Sequence, residues 1–213
     1  MYTNFMDWFP NYTCMACKGE IQTSSNIYLC PKCMSNLPIM PEIQTTHFSP
    51  FTYAEPIRSM ILELKYDSNG FIAKALAPYL AAVYLKHIQP LCTTSPIIVP
   101  VPLHRSRLHE RGYNQSEVLA QEFASYTNLP IVADTLVRKQ KTIIQKEMDA
   151  ITRAKNMQGA FAVETNKLDK IQNQTIILLD DVYTTGATTN ECANELRKNG
   201  AKNIFILTVA SVI

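Results

Sequence analysis

The run Thr175-Ile-Ile-Leu-Leu179 breaks off at two adjacent acids, Asp180 and Asp181. It then passes through Val182-Tyr-Thr-Thr-Gly-Ala-Thr188 into a helical pattern from about Ala187 to Lys198. A short apolar run bounded in this way suits a strand buried on both faces of a parallel sheet. Gly200 supplies a stop signal for the helix, and Ile204 to Val212 a final strand. The alternation extends upstream. Phe48 to Tyr53 reads as a short strand, and Pro56 opens a helix whose Ile57, Met60, Ile61 and Leu64 share one face. An alanine-rich helix runs roughly from Phe71 to His87, Ile97 to Val101 is a second buried strand, and a helix lies around Ser116 to Tyr126. Leu129 to Val132 suits an edge strand, while 103–113 and 138–158 read as polar, basic loops. Strands alternating with helices predict an α/β doubly wound parallel sheet.

Ligands of open sheets bind beyond the carboxyl ends of the strands, where Asp180 to Thr188 fall. Asp180 and Asp181 can accept hydrogen bonds from the vicinal hydroxyls of a ribose. Thr184, Thr185 and Thr188 carry hydroxyl donors beside the start of the next helix, and Gly186 and Ala187 let backbone N–H groups approach a phosphate oxygen. One segment therefore offers a diol binder and a monophosphate cradle, a spacing suited to a ribose 5-phosphate. Paired acids alone also end strands in ATPases and metal sites, or simply precede a capped helix. The Thr-Thr-Gly-Ala-Thr turn is what favours the phosphate.

Four of the six cysteines crowd together as Cys14-Met-Ala-Cys17 and Cys30-Pro-Lys-Cys33, with Cys92 and Cys192 isolated. Two CxxC knuckles complete a tetrahedral thiolate shell that suits Zn²⁺. Gly19 and Pro31 are turn formers where tight knuckles need them. Two disulfides are the alternative, in an exported domain. The first ten residues lack the basic and apolar regions of an export signal, and the stretch 71–88 is too polar to span a bilayer. The expectation is a cytoplasmic chain without membrane insertion, whose zinc is structural and folds a small module ending at the Pro38-Ile-Met-Pro41 linker. Its removal is expected to unfold about the first forty residues and largely spare the rest.

Twenty basic against eighteen acidic residues give a net charge of +2, so any basic surface must be local. None of the six glycines begins a GxxxxGK[ST] or GxGxxG, which argues against a Walker-type NTPase and a dinucleotide fold. Two local basic stretches stand out. Leu103 to Tyr113 carries His104, Arg105, Arg107, His109 and Arg111 against Glu110. Arg138 to Lys155 carries six basic residues against Glu147 and Asp149, a net +4. Guanidinium groups suit a diphosphate, and the same charges suit a nucleic-acid backbone. Lys65 ends the helix 56–66, where a cation complements the helix dipole. Tyr66 and Tyr113 flank the basic elements, as base-stacking or as packing residues.

The stretch Leu178-Leu-Asp-Asp-Val-Tyr-Thr-Thr-Gly-Ala-Thr188 resembles the phosphoribosyl pyrophosphate (PRPP) motif of type I phosphoribosyltransferases. The order of the four-cysteine finger, Leu64-Lys65-Tyr66, Pro100-Val-Pro-Leu-His104, Glu110-Arg-Gly-Tyr-Asn-Gln115, Gln145 with Arg153, Asn156, Gly159 and Phe161, and the terminal motif is similar to the ComF/GntX family of competence-associated proteins. Tyr183 departs from it, since the family often has an aliphatic residue there. The resemblance implies a zinc finger at 1–41 and a phosphoribosyltransferase-like domain at 42–213. It implies PRPP, carried with Mg²⁺, on Asp180, Asp181, Thr184, Thr185, Gly186, Ala187, Thr188, Arg105, Arg111 and Lys65. A nucleic-acid track would use Arg107, Arg138, Lys139, Lys141 and Lys146. The implied role is handling incoming single-stranded DNA during natural transformation, beside a ComFA-type helicase. The alternative is an active phosphoribosyltransferase with Asp180, Asp181 and Arg153 as catalytic candidates and a nitrogen acceptor.

Overall fold

The structure is a computed structural model that describes residues 12–21, 28–42, 47–66, 70–139 and 159–212. In the finger, β1 (Tyr12–Thr13) and β2 (Glu20–Ile21) form a short antiparallel ladder, followed by one helical turn, α1 (Pro31–Ser35). Beyond it, β3 (Phe51–Thr52), β4 (Ile97–Pro100), β7 (Thr175–Tyr183) and β8 (Asn203–Ser211) form one sheet in the order β3-β8-β7-β4. Every pairing in it is parallel, with Val99 opposite Leu178 and Leu178 opposite Ile206. The remaining strands, β5 (Leu136–Arg138) and β6 (Phe161–Val163), form a second short antiparallel ladder.

Strand β7 shows why the sheet is covered on both sides. Its Ile177 and Leu179 join a core with helices α2 (Ile57–Tyr66), α3 (Gly70–Val83) and α5 (Gln115–Thr127). Its Ile176 and Leu178 join another with Leu136, Phe161, Ile171 of the short α6 (Leu168–Ile171) and helix α7 (Ala187–Lys198). Successive side chains of a strand point to opposite faces, so an unbroken apolar run needs a layer on each. The doubly wound architecture expected from the sequence is the one observed. Helix α7 has the expected bounds, and β7 extends four residues beyond the apolar run to include both aspartates.

Several local expectations change. The stretch 129–132 forms no named strand; Ile131 makes a single parallel bridge to Ile98. The polar loop after β4 folds into a short helix, α4 (Arg105–Arg111). His104 caps it by accepting from the Ser106 N–H, and Gly112, at φ 78°, ends it in the left-handed conformation that a Cβ disfavours. The second basic stretch begins at Arg138, the last residue of β5, whose partner β6 lies some twenty residues further on. Helix α3 continues past Val83 as a wider π turn to Ile88 and a 3₁₀ turn to Leu91.

The linker between finger and sheet is itself hydrogen-bonded structure. Thr52 N–H donates to the Pro38 carbonyl, Met40 N–H to that of Pro50, and Ile39 bridges Phe51. Cys14, Met15, Ile21 and Leu29 of the finger belong to the same apolar cluster as Phe51, Leu64 and Ile72. Tyr28 stacks on Phe71 at 5.9 Å, and Lys18 is ion-paired with Glu63 of α2.

Candidate anion-binding cleft and metal centre

β4 ends at Pro100 opposite Leu179 while β7 runs on to Tyr183, and beyond the end of β4 a cleft of about 180 Å³ opens. Val101, Pro102, Leu103 and Val182 form its apolar lining. Asp180, Asp181, Thr184 and Thr188 bring oxygen atoms, and Lys65, Arg107, Arg111 and Arg138 bring charge. Four cations thus face two carboxylates, an excess of positive charge in a confined space. A larger groove of about 410 Å³, over Leu168, Gln172, Asn173 and Lys198–Gly200, contains no carboxylate.

The aspartates are held, not loose. Asp180 Oδ1 accepts from Ser116 Oγ at 3.0 Å and from the Asp181 N–H at 2.9 Å. Burial, then the neighbouring Asp181, pushes the Asp180 carboxyl up to about 7 against these bonds and against Lys65. Asp181 Oδ2 lies 2.8 Å from the Lys65 ammonium. Burial would lower the Lys65 ammonium, but Asp181 and then Asp180 outweigh it and hold it above its ordinary value. The helix dipole is therefore an incomplete account of Lys65, whose ammonium belongs to the cleft.

Ser116 is in place because Asn114 is. The Asn114 amide donates to the Val101 carbonyl at 3.1 Å, while its oxygen caps α5 by accepting the Ser116 N–H. One side chain thereby ties the end of β4 to the start of α5. The Arg111 guanidinium donates to Gln115 at 3.2 Å from the last turn of α4.

The turn before α7 is equally constrained. Gly186 sits at φ 73°, and a Cβ there would collide with Tyr183 Oη and lie 2.6 Å from Asn190 Nδ2. Only glycine fits. As the residue before α7 it has no side chain to cap the helix, so the first-turn N–H groups are open to an external acceptor. Tyr183 is fixed in turn by stacking on buried His47, with ring centroids 3.6 Å apart. His47 shares a 2.8 Å hydrogen bond with Ser211, and burial lowers its imidazole from the usual value.

The expected residues divide along lines that charge alone does not reveal. Asp180, Asp181, Thr184, Thr188, Arg111 and Lys65 line the cleft. Gly186 and Ala187 lie at the start of α7, and Thr185 is exposed in the turn. Arg105 is exposed and outside the cleft lining, because α4 turns it away. Arg107 and Arg138, expected on a nucleic-acid track, also line the cleft. Arg138 is drawn in by β5, with its guanidinium 5.5 Å from the Phe161 ring centroid. Burial, then the like charge of Arg107, lowers its pKa from the usual guanidinium value. Lys139 is exposed, and Lys141, Lys146 and Arg153 lie outside the described residues. Sequence reasoning misses Ser116, Asn114 and the His47–Tyr183 stack as supports; only the Tyr-Asn-Gln sequence at 113–115 marks the neighbourhood of the first two.

At the finger, the four Sγ atoms of Cys14, Cys17, Cys30 and Cys33 lie within 4.8 Å of one another, with Cys17 and Cys30 at 3.9 Å. Zinc–sulfur bonds of about 2.3 Å place tetrahedral sulfurs roughly 3.8 Å apart, so the set fits Zn²⁺. Burial opposes ionisation of Cys14, but the N–H groups of Cys17, Cys30 and Ala16 bring its thiol to about 6. Burial and the other three thiols push Cys33 up to about 12. Without a cation, Cys33 holds its proton more firmly than Cys14.

No family model matches the chain. The Competence protein F of Haemophilus influenzae is 29% identical over 227 aligned positions, covering 95% of this chain and 98% of that protein. The DNA utilization protein YhgH of Escherichia coli K12 is 30% identical over 178 positions, 83% of this chain and 75% of its own. The chain belongs to the ComF family. The Competence protein ComFC of Streptococcus pneumoniae is a more distant ComF relative, at 26% identity over 82% of this chain and 77% of that one. Among solved structures, the glutamine PRPP amidotransferase of B. subtilis is similar over 69% of this chain and 30% of its own, with 17% identity and a TM-score of 0.43. The Trypanosoma cruzi hypoxanthine phosphoribosyl transferase has 14% identity and a TM-score of 0.39, over 81% and 72% of the two chains. No helix among the described residues of this ComF protein is long and apolar enough to cross a membrane.

Proposed function

We propose that this chain is a cytoplasmic PRPP-binding competence protein that handles single-stranded DNA entering during natural transformation. The family supports the cellular role, since its relatives carry the names competence and DNA utilization protein. The cleft supports the ligand: two carboxylates for vicinal hydroxyls and an open helix N-terminus for a monophosphate, ringed by four cations suited to a diphosphate. That juxtaposition is the observation that carries the reading. Thr184 and Thr188 donate to the monophosphate, while Arg107, Arg111 and Arg138 hold the diphosphate. Mg²⁺ would come with the diphosphate, adding charge neutralisation. The zinc is structural, and a ComFA-type helicase is the proposed partner.

Calorimetry and thermal shift with PRPP and Mg²⁺ on the zinc-loaded chain test the ligand, and anisotropy with single-stranded DNA at low salt tests the DNA. Binding should raise the melting temperature, because a ligand bound only by the native state must stabilise it. No shift and no heat would defeat the ligand assignment. Unimpaired transformation after deletion of the gene would defeat the cellular one.

Turnover is the second reading, favoured by Asp180, whose carboxyl titrates near neutrality beside the cation cluster. Fixed positive charge would stabilise the departing diphosphate as the ribose C1–O bond breaks and a nitrogen acceptor takes its place. Pyrophosphate release measured across candidate acceptors distinguishes it from binding alone.

A further inference from the structure

Lys65 and Tyr66 are neighbours in sequence at the end of α2, and they serve opposite sides of one rim. Lys65 turns inward to Asp181, while Tyr66 is 71% exposed. The Tyr66 ring is not bare. The Arg111 guanidinium carbon lies 5.2 Å from its centroid, within cation–π range. Arg111 also lines the cleft. One guanidinium thus belongs both to the anion site and to an exposed aromatic surface.

An aromatic face left this open, with a cation held against it, is what a nucleobase stacks on. Every base has a π-face, and the arginine serves an adjacent phosphate. Arg105 is exposed on the same short helix as Arg111 and adds a second charge for a backbone. A protein ligand is less well matched, since the exposed aromatic is bordered by charge.

We propose that Tyr66 and Arg111 form a stacking platform for single-stranded DNA, and that DNA and PRPP oppose each other through Arg111. This rests on the PRPP and DNA reading above. The sign follows from charge. A diphosphate and a DNA backbone are both polyanions, and each is best served by the same guanidinium, so filling one site disfavours the other. Linkage makes the effect reciprocal.

The test is the anisotropy of a fluorescein-labelled oligothymidylate on the zinc-loaded full chain at fixed ionic strength and Mg²⁺, without and with saturating PRPP. PRPP should weaken DNA binding about fivefold or more. Tyr66→Ala should weaken it by a similar factor in the absence of PRPP, and Tyr66→Phe should retain it, since the ring and not the hydroxyl does the stacking. Calorimetry should show that Tyr66→Ala still binds PRPP. DNA affinity unmoved by PRPP, or by Tyr66→Ala, in a protein that binds both ligands overturns this inference alone. A wild-type chain that binds neither overturns the parent reading and this one together.

Discussion

Replacing Asp180 with asparagine separates what the fold wants from what the ligand wants. The Asp180 carboxyl is pushed from its ordinary 3.8 to about 7, first by burial and next by Asp181. The native state therefore holds a proton that the unfolded chain releases at lower pH. Its stabilising effect is complete below about pH 4, fades as the pH rises, and is gone above about pH 7. The full span corresponds to a ceiling of about 4 kcal/mol, and water in the open cleft reduces it to about 2 kcal/mol. The substituted amide would remain neutral, and its carbonyl can still accept from Ser116 and from the Asp181 N–H. The variant should match the wild type near pH 4 and exceed it by roughly 4–8 °C in melting temperature at pH 8. PRPP affinity should fall over the same range, because an amide is a weaker acceptor for ribose hydroxyls than a carboxylate. Scanning calorimetry of both proteins from pH 4 to 8, with and without PRPP, measures the difference directly. Parallel stability curves would refute the buried, proton-holding assignment of Asp180.

Gly186→Ala should cost roughly 1–2 kcal/mol for the left-handed backbone and more for displacing Tyr183 from His47, and PRPP should no longer raise the melting temperature. Asn114→Ala removes a helix cap and a buried bond to the Val101 carbonyl, a loss of about 2 kcal/mol readable by urea denaturation. Lys65→Met leaves Asp181 without its cation and should destabilise by about 2 kcal/mol, whereas combining it with Asp181→Asn should recover most of that in the same assay. Chelating a metal held by the four cysteines should expose backbone amides of α2 and α3 as well as those of the finger, which hydrogen exchange can resolve.

What the sequence made legible was whatever depends on periodicity and local chemistry. Continuous apolarity marked β7 because a strand covered on both faces has no polar side to spare, and the CxxC pairs marked themselves by spacing. The acidic pair and the threonine turn stood out as a candidate site because strand ends and helix starts are where backbone geometry can meet a ligand. That Arg107 and Arg138 line the cleft was not legible, since charge in a basic stretch is the same on paper whichever way the chain turns. Arg138 faces the cleft only because β5 pairs with β6 across the intervening residues, and Arg105 leaves it because His104 and Gly112 cap a helix between them. Asn114 and Ser116 hold Asp180 through contacts between elements distant in sequence, which no window of residues contains.

The same logic joins the finger to the cleft. Read from spacing alone, the cysteine module is an independent unit whose loss would spare the sheet. Its apolar residues instead complete the core over α2 and α3, and Lys18 engages Glu63 two residues before Lys65. Helix α2 therefore carries the finger on one side while its last turn supplies the cleft with a cation and the rim with Tyr66. A small helix of ten residues gains most of its order from such packing, not from intrinsic propensity. A metal held by the four cysteines would thus steady the helix that carries Lys65 and Tyr66, reaching the cleft through packing without approaching it.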